Sequence, residues 1–159
     1  MEAYLDNSAT TSCSKAATEK MVELLTQDFG NPSSLHMKGV IAEKYITEAK
    51  KKIAKTLKVE EKELVFTSGG TESNNLAIFG VVRSKTRNKS EKILTTMGEH
   101  ASVDSPLDLL SSMGYTIARI STKNGVIDMS ALEKELTSVG GGMVVIPGGT
   151  STGEVTGLT

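Results

Sequence analysis

The segment Leu64-Val65-Phe66-Thr67 runs without a break into Ser68-Gly69-Gly70-Thr71, and Leu76, Ala77, Phe79, Gly80 and Val82 follow at helical spacing. A short apolar run, a paired-glycine turn and a helix, in that order, predict a strand-turn-helix unit. Similar units recur along the chain. Residues 93–96, 116–120 and 143–146 read as further buried strands, and 103–110 as a helix. Another helix is expected from Ser130, with Glu133 completing a capping box, after a turn at Lys123-Asn124-Gly125. Ahead of all these, Ala17, Met21, Leu24 and Leu25 predict a helix over 16–27. A second helix carries Ala42, Tyr45, Ile46, Ala49, Ile53 and Leu57 as an apolar stripe opposite Glu43, Lys44, Glu48 and Lys50 to Lys52. Strands alternating with helices at these spacings predict an α/β class with a mostly parallel sheet and right-handed crossovers.

At 159 residues the chain has room for one compact unit, or for a piece of something larger. Its Gly140-Gly141-Gly142 run and its tail from Pro147-Gly148-Gly149-Thr150 onward end without another element, so the last residues read as unfinished. Eighteen Lys and Arg against 19 Asp and Glu leave a formal charge of −1, and there are no Trp, 3 Tyr and 3 Phe. That balance gives neither the basic footprint nor the stacking platform of a nucleic-acid binder. No apolar run approaches the roughly 20 residues that span a bilayer. The opening MEAYLDNSATT lacks the basic start and apolar stretch of a secretion signal, so the expected location is cytoplasmic. A single cysteine, Cys13, excludes an internal disulfide framework and a cysteine-based zinc site, and reads as packing or incidental rather than as a nucleophile.

Two places in this pattern have chemical potential. The Ser68-Gly69-Gly70-Thr71 turn exposes N–H groups at the start of a helix, where backbone geometry and dipole favour an anion such as phosphate. The hydroxyls of Ser68, Thr71 and Ser73 add possible donors, although neither the GxxxxGK[ST] nor the GxGxxG loop is present. The same residues also suit a plain turn with an N-cap. Glu99-His100 follows a strand at its carboxyl end, where open α/β sheets bind ligands. An imidazole there can stack on a planar cofactor or move a proton, with Glu99 orienting neighbours, or it can simply satisfy backbone groups at a helix start. His36, in the loop Gly30-Asn31-Pro32-Ser33-Ser34-Leu35-His36, either covers a pocket or connects two helices. The two histidines stand far apart and form no close metal-ligand pattern.

Four signatures occur in order: Tyr4-Leu5-Asp6-Asn7-Ser8-Ala9-Thr10-Thr11; Gly30-Asn31-Pro32-Ser33-Ser34-Leu35-His36; Phe66-Thr67-Ser68-Gly69-Gly70-Thr71-Glu72-Ser73-Asn74-Asn75; and Glu99-His100. Together they resemble the NifS/IscS-like cysteine desulfurases of the class V aminotransferases, over nearly this whole chain but only the amino-terminal part of that family's usual protein. The resemblance implies an aminotransferase-like fold of type I and the cofactor pyridoxal 5′-phosphate. Residues 1–15 would line the active site, and 16–159 would form an incomplete cofactor-binding large domain. It also implies that Gly70 and Thr71 hold the cofactor phosphate, that His100 stacks on the pyridine ring and moves protons, and that Asn7, Ala9 and Thr10 line the substrate side.

By the same resemblance the substrate is L-cysteine, the products are L-alanine and an enzyme persulfide, and the enzyme is a homodimer. The sulfur would go to an iron-sulfur scaffold or another acceptor, for cluster assembly or tRNA thiolation. The chain departs from the family after its fourth strand, where Ser151-Thr152-Gly153-Glu154-Val155-Thr156-Gly157 replaces an Asn-Asn-Glu-x-Gly segment. The family's pyridine-nitrogen Asp, Schiff-base Lys and sulfur-accepting loop Cys fall beyond the region covered, so the 159 residues alone are expected to be inactive. Two alternatives keep the fold: a selenocysteine lyase or other class V enzyme, and a noncatalytic partner domain.

Overall fold

The computed structural model describes residues 3–7, 10–84, 92–137 and the backbone of Gly142–Val145, and divides into two units, Met1–Phe66 and Thr67–Thr159.

In the first unit α1 spans Lys15–Thr26 and α2 spans Met37–Leu57. Ser14 starts α1 by accepting from the Ala17 amide at 3.3 Å, and His36 starts α2 by accepting from the Gly39 amide at 3.3 Å through Nδ1. His36 is thus the N-cap of α2. Gly39 permits a close crossing: a Cβ there would stand 2.1 Å from the Ser34 carbonyl oxygen. The Tyr45 hydroxyl lies 2.6 Å from Asp28 Oδ2 and 3.0 Å from Glu23 Oε1, joining α2 to the end of α1 and the loop beyond it. Those two carboxylates, Asp28 foremost, push the phenol pKa upward and keep its proton in place.

The expected apolar stripe on α2 lies on a real helix, but only Gly39, Ala42 and Ala54 are buried, and α1 buries nothing. Ile46, Ile53 and Leu57 remain exposed. Periodicity fixed the helix without supplying a surface to cover its face. The expected strand over 64–67 does not form. A 3-10 turn at Glu61–Glu63 precedes it, and Val65 and Phe66 are exposed. No described strand pairs with this segment, and an extended run without a hydrogen-bonded neighbour gains nothing from its β-branched residues.

The second unit begins with α3, Gly70–Val82, followed by β1, Lys92–Thr96, and α4, Ala101–Ser112. Strand β2 spans Ile117–Ile120, and β3, Thr122–Lys123, forms a hairpin with β4, Val126–Ile127, across Asn124 and Gly125 at φ of 53° and 79°. These positive angles give the mirror-type turn favoured in two-residue hairpins, so the expected turn carries a small ladder that was not expected. Helix α5 spans Met129–Thr137 and β5 spans Gly142–Val145. Asp128, rather than a Ser130–Glu133 box, starts α5: its Oδ1 accepts from the Ala131 amide at 3.1 Å. A carboxylate one residue before the helix reaches the free first-turn amides better than a hydroxyl already inside it.

The sheet runs β2-β1-β5, all parallel, with Ile93 opposite Ile117 and Leu94 opposite Ala118. Successive β1 side chains point to opposite faces. Ile93 joins Ile78, Val82, Val103, Leu107 and Leu110 under α3 and α4, whereas Leu94 joins Ile120 and Leu132 beneath α5. Burying each large aliphatic side chain contributes about 1.5–3 kcal/mol. The result is an α/β three-layer arrangement around a central strand buried on both faces, which explains why β1 reads as a continuous run rather than an alternation.

Candidate functional site

Helix α3 begins at Gly70 with Gly69 as its N-cap, and no side chain caps it. Gly69 is fully extended, at φ 169° and ψ −179°, and a Cβ at Gly69 or Gly70 would meet nothing within 4 Å. Among the described residues the amides of Gly70 and Thr71 have no hydrogen-bond acceptor, and the aligned peptide dipoles add roughly half a positive charge there. Of the expected hydroxyl donors, Ser68 Oγ is engaged with Glu72 Oε2 at 2.7 Å, and Ser73 Oγ lies 2.6 Å from Thr67 Oγ1. The Ser68 amide also donates to Glu72 Oε2 at 2.6 Å. These bonds, the backbone one first, hold the Glu72 carboxyl below its ordinary range and keep it charged. The Thr71 carbonyl accepts from Asn75 Nδ2 at 2.9 Å, which stiffens the first turn.

At the carboxyl end of β1 the chain turns through Met97 and Gly98, the latter at φ 86°, where an L side chain would be strained. Thr96 Oγ1 donates to Glu99 Oε1, so Glu99 orders the turn that leads into α4. The hydroxyl of Thr95 and Oε2 of Glu99 are buried without a hydrogen-bond partner among the described residues. His100 is the N-cap of α4: its Nδ1 accepts from the Ser102 amide at 3.1 Å and lies 2.8 Å from Ser102 Oγ. Asn74 Nδ2 donates to Ser102 Oγ at 2.9 Å, linking the second turn of α3 to the first turn of α4. Gly70, Thr71 and His100 thus begin two neighbouring helices at the same end of the layer. His100 commits Nδ1 to the start of α4, and Nε2 has no hydrogen-bond partner among the described residues.

Asn7 and Thr10 belong to the first unit and have local partners there. Asn7 Nδ2 donates to the Tyr4 carbonyl at 3.2 Å, and Thr10 Oγ1 lies 2.8 Å from the Tyr4 hydroxyl. Ala9 and the segment 151–157 lie outside the described residues. Cys13 is exposed, which removes the packing role considered for it.

A helix start without a side-chain cap suits an anion in many folds, so relatives decide between them. A model of the aminotransferase class-V family matches residues 3–158. The chain belongs to that family. Among its relatives, the cysteine desulfurase IscS of Dictyoglomus turgidum is 41% identical over 136 residues, covering 85% of this class-V chain and 34% of its own length. A NifS/IcsS protein homolog of Lactobacillus delbrueckii subsp. bulgaricus is 40% identical over 141 residues, 86% of this chain and 36% of its own. Among solved structures, a NifS-like protein superposes with a TM-score of 0.77 at 33% identity, over 84% of this chain and 37% of that one. The apo cysteine desulfurase of Thermococcus onnurineus NA1 gives 0.76 at 28% identity, over 89% and 35%. The class-V chain therefore spans about a third of the length of the curated relatives it matches. Its helices and parallel sheet agree with a partial fold-type I transferase domain.

Asn74, Ser102 and Glu72 went unnoticed as site residues in the sequence. The Ser68/Glu72 spacing of four is a local signal that could have found the clasp; no local signal joins Asn74 to Ser102.

Proposed function

We propose that this chain supplies the phosphate-holding and ring-facing part of a pyridoxal 5′-phosphate-dependent cysteine desulfurase. The carrying observation is the uncapped start of α3 at Gly69-Gly70-Thr71, placed next to the His100 cap of α4. The fit to the cofactor rests on three features. Among the described residues the helix start has no side-chain cap, a Cβ on either glycine would meet nothing within 4 Å, and His100 Nε2 has no hydrogen-bond partner.

In this reading the amides of Gly70 and Thr71 bind the phosphate and so fix one end of the cofactor. His100 lies against the pyridine ring and holds or passes a proton at Nε2. Asn7 and Thr10, with Ala9, line the substrate side, and residues 1–15 form that wall while 16–159 form the cofactor-binding part. When bound, the cofactor supplies an electron sink for bond changes at the amino acid's α-carbon. L-cysteine as substrate, L-alanine as product and sulfur delivery to an iron-sulfur scaffold or other acceptor are proposed for the whole enzyme, as are the homodimer and the cytoplasmic location. Among the described residues no helix is long and apolar enough to cross a membrane.

The test uses a cofactor analogue that cannot react with lysines. Pyridoxine 5′-phosphate, which has no aldehyde, should bind the purified chain, while pyridoxine without its phosphate should bind much more weakly. Equal binding of the two compounds by calorimetry would remove the phosphate site from this reading.

A further inference from the structure

We propose that Asn74 and Ser102 are positioning residues that lock the His100 imidazole in one tautomer, with the lone pair on Nδ1 and the proton on Nε2. The direction of the hydrogen bonds requires it. A backbone amide can only donate, so the 3.1 Å bond from the Ser102 N–H makes Nδ1 an acceptor. The Asn74 Nδ2 group likewise only donates, and it occupies a lone pair of Ser102 Oγ at 2.9 Å. The hydroxyl proton is left to point along the remaining 2.8 Å contact, toward Nδ1. One acceptor nitrogen thus receives two donors, and the second is aimed by a side chain 28 positions earlier on another helix.

Ser102 is 7% exposed, so water does not readily replace either bond when one is lost. Its place is also fixed by the fold, because Val103, Pro106 and Leu107 on the same helix are buried. The tautomer lock stands on this geometry alone, while its catalytic meaning rests on the function proposed above. There, Nε2–H becomes the ring's sole available donor, and the ring plane is set by two helices rather than by rotation about a single cap.

The experiment reads the ring nitrogens directly. Two-bond proton–nitrogen spectra of the ring-labelled chain are recorded at about pH 9, above the ordinary imidazole range. His100→Asn, which keeps a good N-cap, removes one of the two histidine signal sets and so assigns both. In the wild-type chain His100 should show an unprotonated Nδ1 and a protonated Nε2. Asn74→Asp offers only an acceptor, turns the Ser102 hydroxyl away from the ring, and should raise the Nδ1–H population about 2- to 12-fold, the factor one net hydrogen bond carries. Ser102→Ala keeps the backbone donor and should produce a smaller rise. His100 shifts identical to wild type in both variants, with amide spectra showing both folded, would overturn the lock. Addition of pyridoxine 5′-phosphate then separates the two ideas: a responsive tautomer whose His100 ring ignores the analogue refutes the functional reading and leaves the lock intact.

Discussion

Replacing Gly70 with proline should remove one phosphate donor while leaving the helix in place. Gly70 is the first residue of α3, the position where proline's fixed φ already suits a helix and its missing N–H breaks no intrahelical bond. Proline also demands an extended residue before it, and Gly69 is extended at φ 169° and ψ −179°. A hydrogen bond to a charged group is worth about 1.5–3 kcal/mol, or about 10- to 150-fold in affinity at 1.4 kcal/mol per tenfold. The helix start is open to solvent, which screens the interaction, so a loss of about tenfold is expected. Gly70→Ala is the matched control: its Cβ meets nothing within 4 Å and its amide survives, so binding should be retained. Calorimetric titration with pyridoxine 5′-phosphate, alongside circular dichroism to confirm helix content, measures both. A folded Gly70→Pro chain that binds as tightly as wild type would show that this amide does not hold the phosphate.

Leu107→Ala removes a side chain with no exposed area from the cluster shared by α3, β1 and α4, and should cost about 2–5 kcal/mol in urea denaturation. A smaller loss would mean that this face is not packed as described. The Ser68–Glu72 clasp gives a pH signature. Since folding lowers the Glu72 pKa, its contribution is complete above the ordinary glutamate value of about 4.3 and disappears as pH falls through the lowered one. Wild type should therefore be the more stable of the pair with Glu72→Gln at neutral pH, with the gap closing on acidification. A gap that persists at low pH would place the effect elsewhere than in the charge.

The elements whose information is local were legible in the sequence, and those that depend on distant partners were not. Helices α1 to α5 and strands β1, β2 and β5 appear close to where periodicity put them, because each carries its own face and breakers. The 64–67 strand failed because a strand is defined by its neighbour, and none of the described strands pairs with it. The start of α5 went to Asp128 because two local caps competed and only geometry ranks them. The same division runs through the site. Gly69-Gly70 announced an exposed helix start by residue type alone, and His100 announced itself by following β1. The bonds that run from Asn74 through Ser102 to the His100 ring cross between two helices separated in sequence by an entire strand. Asparagine in a helix interior and serine near a helix start are each ordinary residues there. Their joint effect on a ring nitrogen exists only once α3 and α4 pack side by side on β1, so the apolar cluster of Ile78, Val103 and Leu107 is a precondition of the polar one. Weakening that packing should thus disturb the His100 tautomer before it disturbs the α3 amides, whose donors need nothing beyond their own helix.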